Sequence, residues 1–174
     1  MTGMRISPRR AAASGFFWKT ARWRGGGLKR PAAHCINKIG HALHDLDPVF
    51  DRFSRDPKLA AVVPRLGCAQ PLLLQSMYIF KQPGIGGEVV WHQDSTYLYT
   101  EPMGVMGLWV ALEGATVENG CMWALPGHHR AGLRQRFRYV DGVLTTEVLD
   151  PEPWPAMAKV PLAVPQGSLV VLHG

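Results

Sequence analysis

The sequence predicts a mainly β fold, an antiparallel sandwich or jelly roll preceded by helices. Three observations carry this. From Pro71 onward the chain reads as short β-branched and aromatic runs separated by Gly/Pro turns. No helical period alternates with those runs, which points away from a parallel α/β sheet. Helical spacing is confined to residues 36–66. At 174 residues the chain is long enough for one domain with a core, and no apolar run reaches the length of a membrane span.

The elements follow in order. Residues 1–33 hold Arg5, Arg9, Arg10, Lys19, Arg22, Arg24, Lys29 and Arg30 and no acid. Removing that +8 from the net +6 leaves the rest of the chain at −2, so the basic balance belongs to a leader. Gly25 to Gly27 and Pro31 interrupt any amphipathic helix there. The segment reads as a disordered or wrongly joined leader, with an organelle transit peptide or a basic arm as alternatives. Nothing in it reads bases, so no nucleic-acid partner is expected. The expected division is a leader over 1–35 and a domain over 36–174. Within 36–66, Asp47-Pro48 and Asp56-Pro57 are N-cap plus first-turn signatures. Val49, Phe50, Phe53, Leu59, Val62 and Val63 have helical spacing. His41 and His44 read as polar residues flanking the first cap. Strands are expected over Leu72 to Lys81, Glu88 to Asp94, Gly107 to Glu113, Cys121 to Leu125, Lys159 to Val164 and Ser168 to His173. Residues 131–158, with Pro151, Pro153 and Pro155, read as a long insertion loop. Cys35, Cys68 and Cys121 are widely spaced and form no C-x-x-C, which favours a reducing compartment. A cytoplasmic location is expected, with the leader leaving an organelle open.

The chemistry concentrates in GEVVWHQDSTYLYTEP, from Gly87 to Pro102. On a strand, residues two apart share a face. His92 and Asp94 then converge, with Trp91 and Gln93 on the other side. An imidazole and a carboxylate on one face are two-thirds of the 2-His-1-carboxylate set that holds Fe(II). A bare His-x-Asp is weak by itself, and a polar pair on a surface strand is the alternative.

Further pieces stand in order: INKIGHAL at Ile36 to Leu43, QSMYIFKQP at Gln75 to Pro83, WHQDSTYLYTEP, GLWVALE, ENGCMWALPGHH at Glu118 to His129, and PQGSLVVLHG at Pro165 to Gly174. Together they resemble the phytanoyl-CoA dioxygenase family, and most closely its domain-containing branch, from Ile36 to the end. The resemblance implies a double-stranded β-helix (jelly-roll, cupin-like) with N-terminal helices, incomplete at its C-terminus. It implies an Fe(II)- and 2-oxoglutarate-dependent dioxygenase. His92 and Asp94 are then iron ligands, and Lys38, Met77, Gln93 and Trp109 line the 2-oxoglutarate site. The types fit, since Lys38 offers a cation to a dianion and Met77 and Trp109 offer apolar walls.

In the family the distal iron-binding His stands past the strand that ends here, followed by a Ser and an Arg for the far carboxylate of 2-oxoglutarate. His173 falls early by about four residues, roughly 13 Å of extended strand. His128 and His129 fall in the family's turn at the pocket mouth, with His128 where Ser is usual. The chain as written thus carries two protein ligands for iron where the set needs three. It is expected to be a fragment, inactive by itself, of an oxygenase acting with O2 on a small molecule of unknown identity. The alternative is a non-catalytic binding or regulatory protein that keeps a partial jelly roll.

Overall fold

The computed structural model describes residues 15–18, 23, 24, 27, 28, 30–85, 88–156 and 158–174. Among the described residues, the chain divides into two compact units, one before Val90 and one from Val90 to Gly174. The division falls within the range expected to be one domain. The described elements are mainly short strands in small antiparallel sheets, with few helices. No described helix is long and apolar enough to cross a membrane.

In the first unit, β1 (Gly15–Trp18), β2 (Trp23–Arg24) and β3 (Gly27–Leu28) are followed by β4 (Ile36–His41). Then come α1 (Leu43–Leu46), α2 (Pro48–Ser54), α3 (Pro57–Val62) and β5 (Ser76–Ile79). β4 is the central strand of a sheet ordered β1-β4-β5, antiparallel on both sides. Two expectations change here. Residues 36–41 were expected to be helical and are a strand, because two ladders satisfy their backbone while Ile36, Ile39 and Gly40 offer little to a helix. Gly15–Trp18, expected within a disordered leader, pairs with Ile36–Gly40. The leader's residues 1–14, 19–22, 25, 26 and 29 lie outside the described residues.

The helical caps form as the sequence requires. The Asp47 carboxylate accepts from Val49 N (2.9 Å) and Phe50 N (3.1 Å), and Pro48 opens α2. The Asp56 carboxylate accepts from Lys58 N at 2.8 Å, ahead of Pro57. These satisfy N–H groups that a helix start leaves without partners. His44 is more than a flank residue. It is buried, its backbone N–H donates to Ser76 Oγ (2.9 Å), and its Nδ1 lies 2.7 Å from the same hydroxyl. This ties α1 to β5.

Residues 88–93 carry no strand, and in the second unit a 3-10 turn spans Asp94–Thr96. The strand expected over Glu88 to Asp94 is therefore absent. The 3-10 turn takes the Gln93 and Asp94 carbonyls as acceptors for Thr96, Tyr97 and Leu98, which ends any ladder there. β6 (Met106–Val110), β7 (Met122–Ala124), β8 (Gln135–Val140), β9 (Val143–Val148), β10 (Val160–Leu162) and β11 (Leu169–His173) follow. They pair antiparallel as β6–β11, β7–β10 and β8–β9. The loop expected over 131–158 contains the β8–β9 hairpin. Its turn is Asp141-Gly142, with φ of 50° and 80°. Two positive φ values make the tight turn whose twist matches a hairpin, and Asp-Gly is its usual sequence.

We expect Ser76→Ala to cost more stability than Asp47→Ala. The first leaves two buried groups of His44 without their partner, on the order of 2–3 kcal/mol; the second removes one half-buried cap, about 1 kcal/mol. Urea unfolding of both variants measures the order, and the reverse order would refute this account of α1.

Candidate metal site

The irregular stretch 88–93 still brings the two expected donors together. Gln93 is extended, with φ −106° and ψ 137°. An extended residue sends its neighbours' side chains to one side and its own to the other. His92 Nε2 consequently stands 3.6 Å from Asp94 Oδ1. His92 Nδ1 lies 2.8 Å from the Val90 carbonyl. A carbonyl only accepts, so Nδ1 carries the proton and donates. In the neutral ring the lone pair then sits on Nε2, turned to a carboxylate oxygen. Two acceptors facing each other need a positive centre, either a second ring proton or a cation. Ligand bonds of about 2.0–2.2 Å from each can span 3.6 Å, so one divalent ion fits the pair. Fixing a ligating imidazole through its other nitrogen to a carbonyl is the usual second layer of such a site.

Asp94 is backed by β6. A Cβ built on Gly107 would stand 3.3 Å from Asp94 Oδ2 and 3.3 Å from Leu172 Cβ. Glycine here leaves the space that the carboxylate occupies. Trp109 is two residues along the same strand and shares that face with Gly107. His173 does not share it. It pairs with Met106, while Leu172 pairs with Gly107, so His173 projects from the opposite face of the ladder. There its ring lies 4.9 Å from the His129 ring. His128 instead meets the Trp154 ring edge-on at 5.4 Å. Among the described residues, no group of three or more His, Cys, Asp or Glu could hold a metal.

The other expected residues fall as follows. Gln93, expected beside the cosubstrate, has its amide engaged by the 132–134 segment: Nε2 donates to Gly132 O (2.8 Å) and Oε1 accepts from Arg134 N (3.0 Å). Lys38 and Met77 belong to the first unit, on neighbouring strands. Lys38 pairs with Ile79 and Gly40 with Met77, which puts Lys38 and Met77 diagonally on one sheet face. The Met77 side chain lies across Gly40, whose added Cβ would come within 2.9 Å of Met77 Cγ.

Sequence reasoning missed Arg134, Tyr97 and Tyr99. The Tyr97 ring sits between His92 (5.5 Å) and Phe137 (4.8 Å). The Tyr99 ring lies under the Arg136 guanidinium at 3.7 Å. Its hydroxyl donates to Glu101 at 2.7 Å, and this bond raises the phenol above its ordinary pKa. The alternation Arg134, Arg136, Arg138 ahead of Asp141-Gly142 was the signal available for the hairpin that these residues contact.

The phytanoyl-CoA dioxygenase family model matches residues 12–174, which takes in most of the segment expected to be a separate leader. Phytanoyl-CoA dioxygenase 1 of Oryza sativa subsp. japonica is 49% identical over 160 residues, covering 91% of this chain and 56% of that protein. Phytanoyl-CoA dioxygenase of Arabidopsis thaliana is 46% identical over 162 residues, with the same coverage of 91% and 56%. Phytanoyl-CoA dioxygenase domain-containing protein 1 of Mus musculus is 48% identical over 163 residues, again 91% and 56%. The chain thus spans about half the length of the curated relatives it matches, 56% in each of these three.

We expect Gly107→Val to press on both Asp94 and Leu172 and to cost about 1–3 kcal/mol by overpacking. Thermal or urea unfolding measures it. Unchanged stability would mean that the Asp94 carboxylate does not rest on β6.

Proposed function

The chain belongs to the phytanoyl-CoA dioxygenase family, and from that premise we propose that it carries the iron-binding segment of an Fe(II)- and 2-oxoglutarate-dependent dioxygenase built on a double-stranded β-helix. The observation that carries this is the His92 Nε2–Asp94 Oδ1 approach of 3.6 Å, with Nδ1 committed to the Val90 carbonyl. One imidazole nitrogen and one carboxylate oxygen are donors suited to non-haem Fe(II). When bound, iron with 2-oxoglutarate supplies the coupling of oxidative decarboxylation, to succinate and CO2, with hydroxylation of a C–H bond by O2.

The chain's own residues do the holding and shaping. His92 and Asp94 bind the ion. Gly107 leaves room for the carboxylate. Trp109, on the β6 face that carries Asp94, is an apolar wall that keeps water from the reacting centre. Lys38 and Met77 are assigned to the cosubstrate on the family resemblance, as a cation for a dianion and an apolar wall. The substrate is a small molecule with an unactivated C–H bond, and the activity is that of the longer proteins to which this chain is similar.

A second reading is favoured by the donor set itself. The same His92–Asp94 approach, taken as an ion pair with a second ring proton, suits a protein that keeps the fold for binding or regulation. Anaerobic Fe(II) equilibrium dialysis and 2-oxoglutarate turnover separate the two. On the first reading the chain binds one Fe(II), and His92→Ala or Asp94→Ala abolishes that binding. Unchanged iron stoichiometry in both variants would sink the assignment. Succinate released by the chain would sink the non-catalytic reading.

A further inference from the structure

The peptide that joins the two proposed donors has no backbone ladder, since residues 88–93 form no strand. Something else must fix its direction. The Gln93 side chain points away from the donor side, and both ends of its amide are used: Nε2 donates to Gly132 O at 2.8 Å, and Oε1 accepts from Arg134 N at 3.0 Å. An amide giving one donor and one acceptor to residues two apart does for the segment what a paired strand would do.

The far end of this tie is itself held. Arg134 O accepts from Leu149 N (2.9 Å) and Asp150 N (3.1 Å). Its side chain is 8% exposed and pairs with the Asp150 carboxylate at 3.1 Å. The same guanidinium donates to the carbonyls of Glu152 and Pro153 and lies 4.8 Å from the centre of the Trp154 ring. Buried charge with this many partners is a rigid anchor rather than a swinging arm. Tyr97 on Phe137 and Tyr99 under Arg136 add two ring contacts along the same seam.

We infer that Gln93 is a positioning residue for the metal donors: by tying their shared peptide to the Arg134 anchor from behind, it sets the His92–Asp94 spacing. This rests on the reading of His92 and Asp94 as iron ligands. It gives Gln93 a task other than lining the cosubstrate pocket, and it makes the segment 132–134 part of the site's support. Second-layer partners of this kind tune affinity without supplying a ligand bond.

The test is anaerobic Fe(II) equilibrium dialysis of the full chain, with circular dichroism of each variant as a check on folding. Gln93→Met keeps the length and removes both hydrogen bonds. It is expected to weaken Fe(II) binding about 10–100-fold while saturating at the parent's stoichiometry, unlike His92→Ala or Asp94→Ala, which lose the site. Gln93→Glu keeps the acceptor for Arg134 N and loses the donor to Gly132, and it is expected to fall between Gln93→Met and the parent. Parental affinity in Gln93→Met overturns the inference. If Gln93→Met does not fold, parental affinity in Gln93→Glu overturns it instead. Failure of the parent chain to bind Fe(II) overturns the donor assignment and this inference together, so the two failures are distinguishable.

Discussion

The hydrogen bond from His92 Nδ1 to the Val90 carbonyl, 2.8 Å long, is the constraint from which the site follows. It decides the tautomer, and the tautomer decides that Nε2 meets Asp94 as an acceptor. A second ring proton or a cation can lie between the two, and at 3.6 Å the separation also suits an ion shared by both. The bond spans only two residues, so the stretch Val90 to His92 orients its own imidazole without help from a sheet.

Asp94 depends on more distant structure. Its carboxylate rests over Gly107, whose place on β6 is fixed by pairing with Leu172 of β11. The β6–β11 ladder thereby sets one donor's position and, by alternation, sends His173 to the opposite face. A slip of β11 by one residue along β6 would set His173 or Val171 opposite Gly107 in place of Leu172. The glycine, the strand pairing and the carboxylate form one dependent set.

Much of this was legible in the sequence, and the misses have physical reasons. The convergence of His92 and Asp94 was expected from alternation on a strand. The local reason held, because Gln93 is extended, but the strand did not, because the 3-10 turn at Asp94–Thr96 claims the carbonyls a ladder needs. The caps at Asp47 and Asp56 were legible because an N-cap is a local interaction. Ile36–His41 was read as helix because its identity as a strand rests on partners at Gly15–Trp18 and Ser76–Ile79. One of those partners sat inside a segment whose charge drew attention away from GFFW. The β8–β9 hairpin was legible and overlooked. Asp141-Gly142 between alternating residues was the signal, and three nearby prolines outweighed it. Arg134 could not have been found this way, since two of its side-chain partners are backbone carbonyls, which no side-chain pattern advertises.

An irregular backbone at a metal-donor segment carries a physical advantage that a strand would forfeit. A ladder would commit the Gln93 and Asp94 carbonyls to a neighbouring strand and carry the chain straight on. The 3-10 turn instead uses them internally and turns the chain immediately after Asp94, burying Ser95 and Thr96 beneath it. The donors can then stand half-exposed, at 34% and 37%, above a buried floor. What is lost is the directional restraint of the ladder. Side chains on the face away from the donors can restore it without blocking the ion, and Gln93 is a residue whose extended backbone sends its side chain there. Its engagement with Gly132 and Arg134 is therefore what an open, unladdered donor pair requires.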